Sequence, residues 1–225
     1  MAAPAIEKCL ARAEEALERG EGLAGTGFWA AVAEVKRQPE LVDRYAERIA
    51  AIDLRAHRAW VWLVIPLGVG TVLAVVVLLA GLGLIWLAYE FDGAAAVIAF
   101  WAGFVAIIGS THGLGHLVVG RLLGIRFHYW YVASLTTPQP GVKVDYDSYL
   151  RADPARRAWM HASGALATKV VPFALIGAAV AADLPVWVPW ALAVLGVAMV
   201  ITDVTWSTKA SDWKKFKREM AYTRP

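Results

Sequence analysis

Residues 93–120 read GAAAVIAFWAGFVAIIGSTHGLGHLVVG, a run without a formal charge that is closed by Arg121. At 1.5 Å of rise per residue, about 20 residues cross a hydrocarbon layer of ~30 Å, so this run predicts a membrane-spanning helix with length to spare. Polar side chains enter late in it, as Ser110, Thr111, His112 and His116.

Three further runs share its character. Trp60 to Ala88 carries no charge, Ala158 to Ala182 is interrupted only by His161 and Lys169, and Val186 to Trp206 holds Asp203 alone. The expected fold is an all-α membrane protein with spans at about 60–88, 94–123, 156–182 and 186–207, which makes 59–208 a four-span core. Composition agrees: of 225 residues 59% are hydrophobic and 18% charged, eleven are Trp, and the mean hydropathy is +0.51. That balance excludes an ordinary soluble domain and a disordered chain, and the single Cys9 excludes a disulfide scaffold.

The cations set the expected orientation. Lys and Arg number nine before Trp60, six between Arg121 and Arg157, and six from Lys209 onward, whereas Tyr89 to Gly93 and Ala182 to Pro185 hold none. By the positive-inside rule both termini and the central loop face the cytoplasm, and the short turns with Glu90, Asp92 and Asp183 face outward. The trailing segment Ser211-Asp212-Trp213-Lys214-Lys215-Phe216-Lys217-Arg218 belongs to a basic amphipathic tail, 209–225. Its aromatic residues and cations suit membrane lipid with anionic headgroups; nucleic acid is not expected from so short a cluster. Trp60, Trp62, Trp130, Trp187, Trp190 and Trp206 fit interfacial belts.

Residues 1–58 read as a cytoplasmic helical extension. Ile6, Leu10, Ala13 and Leu17, then Phe28, Val32 and Val35, then Leu41, Tyr45, Ile49 and Ile52 repeat at helical spacing, with Gly20 to Gly27 and Pro39 as breakers. Their apolar stripes pack on one another, lie on the membrane, or dock a partner. A transmembrane client or a larger membrane complex is the partner class considered.

His112 and His116 are four apart, which places both imidazoles on one helix face, one turn from each other, at a spacing that suits a single tetrahedral metal. Asp203, near the same end of the last span, would complete a two-histidine, one-carboxylate zinc site. Lys169 supplies a competing account, because an ammonium within a span needs a partner and Asp203 is the other formal charge inside the bundle. His161 is expected to be hydrogen-bonded at a helix interface, and His57 and His128 to lie in water.

The string His112-Gly113-Leu114-Gly115-His116, with Gly120, Gly124 and Ile125 after it, resembles the metal-binding helix of the site-2 protease family of intramembrane zinc metalloproteases, whose signature is His-Glu-x-x-His. Downstream, short possible strands at Arg126 to Val132 and Gly141 to Tyr146 precede Asp153-Pro154-Ala155-Arg156-Arg157 and Ser163-Gly164-Ala165-Leu166-Ala167. These resemble the family's proline-and-basic entry into a span with a small-residue motif. The likeness covers roughly Ala94 to Glu219. It implies zinc on His112, His116 and Asp203, the last standing for the aspartate of the family's Leu-Asp-Gly motif, here flanked by Thr202 and Val204. It also implies impaired proteolysis, because the family's general-base Glu is replaced by Gly113, and proton transfer by such a base is worth about 10²–10⁴ in rate. A Glu restored at 113 is expected to raise hydrolysis. The alternative is a non-proteolytic scaffold or membrane subunit in which a Lys169–Asp203 pair stands in place of the metal.

Overall fold

The computed structural model describes residues 3–134, 140–205 and 211–223. The three amphipathic stripes become α1 (Ala3–Glu18), α2 (Phe28–Arg37) and α3 (Val42–Trp60). Ile6, Leu10, Phe28, Val35, Tyr45 and Ile49 are fully buried against one another, and Leu150 from the central segment closes the cluster. Of the three destinations open to these stripes, the structure takes mutual packing. Arg48 reinforces it from outside by pairing with Glu7 and Glu14, each at 2.6 Å.

The first apolar run does not begin as a helix. Leu63–Pro66 forms a strand, β1, and Pro66 then stands at the N-cap of α4 (Leu67–Leu87). The expected start of the span near residue 60 is therefore corrected to 67. The second run forms α5 (Gly93–Leu122), followed by β2 (Phe127–Val132) and β3 (Pro140–Val144). The strands make one antiparallel sheet in the order β1-β2-β3, with Leu63 opposite Val132, and Trp130 set between Ile65 and Val142. Strands in the central segment were expected; a third one ahead of the first span was not. A short α6 (Tyr146–Arg151) leads to α7 (Pro154–Ala181), whose N-terminus is capped by the Asp153 side chain, then to α8 (Trp187–Thr205) and α9 (Asp212–Met220). The expected end of the fourth span at 207, Trp206 and the expected start of the tail at 209 fall outside the described residues.

The helices α4, α5, α7 and α8 are each long and apolar enough to cross a membrane, which fits a membrane-embedded, multi-pass protein. Small residues let them approach: a Cβ on Gly103 would lie 2.7 Å from the carbonyl oxygen of Gly81 across the α4/α5 crossing. Phe100, Phe104, Ile107, Val188 and Leu192 fill the interior, while Val72, Leu79, Ile98, Val105 and Val194 point outward and are exposed. Connections of about five residues, 88–92 and 182–186, leave neighbouring helices antiparallel. The N-terminal helices, sheet, α6 and α9 consequently gather at one end of the bundle. There α3 is tied to the sheet by a buried Asp53–Lys143 ion pair and by His57 Nδ1 on the Tyr129 hydroxyl at 3.0 Å.

Candidate metal centre

The second half of α5 tolerates its polar residues because each has a local partner. Ser110 and Thr111 donate back to the carbonyls of Ala106 and Ile107 at 2.8 and 2.7 Å. One turn on, the rings of His112 and His116 stand edge to face with centroids 4.8 Å apart. His116 fits only because α7 presents Gly164, where a Cβ would lie 2.4 Å from the imidazole Nε2. Its Nδ1 is 2.7 Å from the Met160 carbonyl oxygen. A carbonyl only accepts, so Nδ1 carries the proton and, in the neutral ring, Nε2 is left with a bare lone pair.

That lone pair does not meet a donor. It points at Oδ2 of Asp212 at 3.1 Å, and His112 Nε2 approaches the same oxygen at 3.2 Å. Asp212 is the first residue of α9, whose N-cap Ser211 accepts from the Lys214 amide at 3.4 Å, and its other oxygen receives Lys215 Nζ at 3.1 Å. Burial by itself would raise the Asp212 carboxyl, but the hydrogen bond from His112 and the Lys215 ammonium beside it prevail and hold it far below the usual carboxylate range. A carboxylate so placed demands positive charge on its neighbours. A cation seated between the nitrogens and the oxygen would supply it.

The donor set fits a metal. Among the described residues, His112, His116 and Asp212 form a group of three whose ligand atoms all lie within 4.8 Å of one another. Arms of about 2.0–2.1 Å span a tetrahedron with edges of about 3.3 Å, close to the two distances observed. The hydrogen bond from Nδ1 to a backbone carbonyl is the usual support for a ligating histidine.

Asp203, the expected third ligand, is elsewhere: it meets Lys169 of α7 at 2.7 Å. The reason is electrostatic, since Lys169 would otherwise be an unpaired ammonium on a spanning helix. The Lys169–Asp203 pair therefore does not take the carboxylate that stands opposite the His pair, which comes from α9. Both groups line one cavity of about 420 Å³, together with Gly113, Tyr131 and Val142.

No protein-family model matches the chain, and neither a curated protein nor a solved structure matches it.

Among the described residues around the cavity, no free base stands ready over the His pair. A Cβ on Gly113 would lie 2.4 Å from Cζ3 of Trp130, so an indole fills the volume that a side chain at 113 would need. His161 shares a 2.9 Å hydrogen bond with the Tyr149 hydroxyl, the interface role expected of it. His57 is drawn in against Tyr129 and is not freely solvated, while His128 lies 3.7 Å from Asp145. Asp145 and Asp147, the acids of the central loop, are bound by Arg126 at 2.8 and 3.2 Å. Asp212 is the residue that sequence reasoning misses, counting it only as part of the basic amphipathic tail. A signal was present: Asp212 and Glu219 are the two acids of an otherwise basic segment, and a spacing of seven puts them on one helix face.

Proposed function

We propose that this chain is a membrane-embedded zinc-binding protein on a site-2-protease-like core, a pseudoprotease that holds its metal without hydrolysing peptide bonds by that family's route. The observation that carries the reading is the orientation of His116, whose Nδ1–H is tied to Met160 while Nε2 faces the Asp212 carboxylate. His112, His116 and Asp212 would hold the ion. Zinc in such a site supplies Lewis acidity and lowers the pKa of a water bound to it. The chain's own residues then have to move the proton, and Gly113 cannot. Lys215 is engaged by Asp212, His161 by Tyr149, and the indole of Trp130 covers position 113. What remains is a centre that fastens α9 to α5. The distribution of cations supports both termini on the cytoplasmic face of a cell membrane, with lipid around the bundle and a transmembrane client or larger complex as the partner class.

A second reading, a metal-free scaffold, is favoured by the Lys169–Asp203 pair, which balances the inner charges without an ion. Metal analysis of the purified protein separates the two. The expected result is about one zinc per chain in wild type, loss in His112→Ala and Asp212→Asn, retention in Asp203→Asn, and no cleavage of a transmembrane peptide. Equal zinc in wild type and His112→Ala would remove the site, and a wild type free of zinc would hand the function to the scaffold reading.

A further inference from the structure

Helix α9 is anchored at both ends by acids. Asp212 meets the His pair at its start, and Glu219, fully buried, lies seven residues on along the same face. Glu219 accepts Lys36 Nζ of α2 at 2.6 Å and Arg157 Nε of α7 at 2.8 Å. Arg157 is itself fixed, donating from Nη1 to the carbonyls of Leu150 and Ala152 at 3.1 and 2.8 Å. Burial pushes Lys36 down to about 8; Glu219, which burial would raise, is held below the ordinary glutamate range by the two cations. The opposite face, with Lys214, Lys217 and Arg218, is exposed. Between the anchors Phe216 lies against Trp159 at 5.4 Å, an apolar contact that does not fix register.

Seven residues of helix span about 10 Å, so α9 works as a strut whose length matches the separation of its two anchors. A helix this short is not stable in water by itself, and its order depends on what holds it. We propose that Glu219 is a positioning residue for the metal centre: by setting the register of α9 against Lys36 and Arg157 it delivers Asp212 to His112 and His116, so that ion binding and docking of the N-terminal helices are coupled. The coupling rests on the metal reading above. It is reciprocal by linkage, so the ion tightens the contact of α9 with α2, and loss of the Glu219 clamp weakens the ion.

The test uses the full chain in detergent, stripped with a chelator and titrated with zinc, read by competition with a coloured chelator, by trypsin cleavage at Lys214, Lys217 and Arg218, and by hydrogen exchange in α2. In wild type, zinc is expected to slow cleavage of α9 roughly tenfold and to protect α2. Glu219→Gln should still take one ion but ~10–100-fold more weakly, and Lys36→Met should shift affinity in the same direction by less. Asp212→Asn should lose both binding and protection. A wild type that binds zinc with no change in cleavage or exchange, or a Glu219→Gln with wild-type affinity, overturns the coupling and leaves the metal centre standing. A wild type that binds no zinc overturns the centre itself. Were Glu219→Gln not to fold, the wild-type titration and Lys36→Met decide the matter without it.

Discussion

Trp130 explains why position 113 is glycine. Its indole N–H donates to Thr71 Oγ1 at 3.1 Å, and the ring passes between Gly70 of α4 and Gly113 of α5, where any Cβ would collide with it. Restoring a Glu at 113 therefore meets a packed ring, and the gain in hydrolysis expected from sequence requires that the indole move. Gly113→Ala should cost about 1–3 kcal/mol as overpacking, with Trp130→Leu in the same chain recovering part of it. Unfolding in detergent measures both, and an Ala variant as stable as wild type would show that the indole swings clear. Gly164→Ala should displace the His116 ring and lower zinc content. Asp203→Asn is its mirror image: zinc stays, and stability falls because Lys169 loses its carboxylate partner and keeps the Ala165 carbonyl. The His pair was legible from its spacing alone. The third carboxylate was not, because Asp203 satisfied the same pattern from a neighbouring span, and only the positions of Lys169 and α9 in space decide between two candidates.

Among the elements, β1 shows why the edges of apolar runs resist reading. Leu63 to Pro66 is as hydrophobic as the helix that follows, and periodicity does not separate a short apolar strand from the start of a span. What makes it a strand is the pairing of β2 across it, a contact some 65 residues distant in sequence. The N-terminal stripes were legible because each repeats at helical spacing and Gly20 to Gly27 and Pro39 separate them. The junction between α3 and the sheet then carries a pH dependence. Burial, with Lys143 adding repulsion, lowers His57 from 6.5 to about 4. Between these values the unfolded chain binds a proton that the folded chain refuses, so the contribution is intact above about 6.5 and is lost as pH falls toward 4. Unfolding followed from pH 7 to pH 4 should show stability declining across that window, and His57→Gln should flatten the decline. An unchanged slope in the variant would assign the acid sensitivity to another group.

At the scale of the whole molecule, the functional parts share one end of the bundle because four spans return the chain to the side it left. The sheet caps α4 and α5 through Trp130, α9 caps α5 through Asp212 and α7 through Glu219, and the N-terminal helices close on α6 through Leu150 and on α9 through Lys36. Among the described residues, the other end holds only the 88–92 and 182–186 connections. In sealed vesicles this arrangement predicts strict sidedness. Single cysteines placed at Arg58, Arg126 and Lys217, in a chain with Cys9→Ser, should react with an impermeant maleimide from one side, and cysteines at Asp92 and Asp183 from the other. Because a chain that crosses four times has both ends on one face, a tag reading with opposite sidedness at Arg58 and Lys217 would mean that one of the apolar helices lies in the interface and does not span, and α9 could not then reach the histidines from the same compartment as the N-terminal helices.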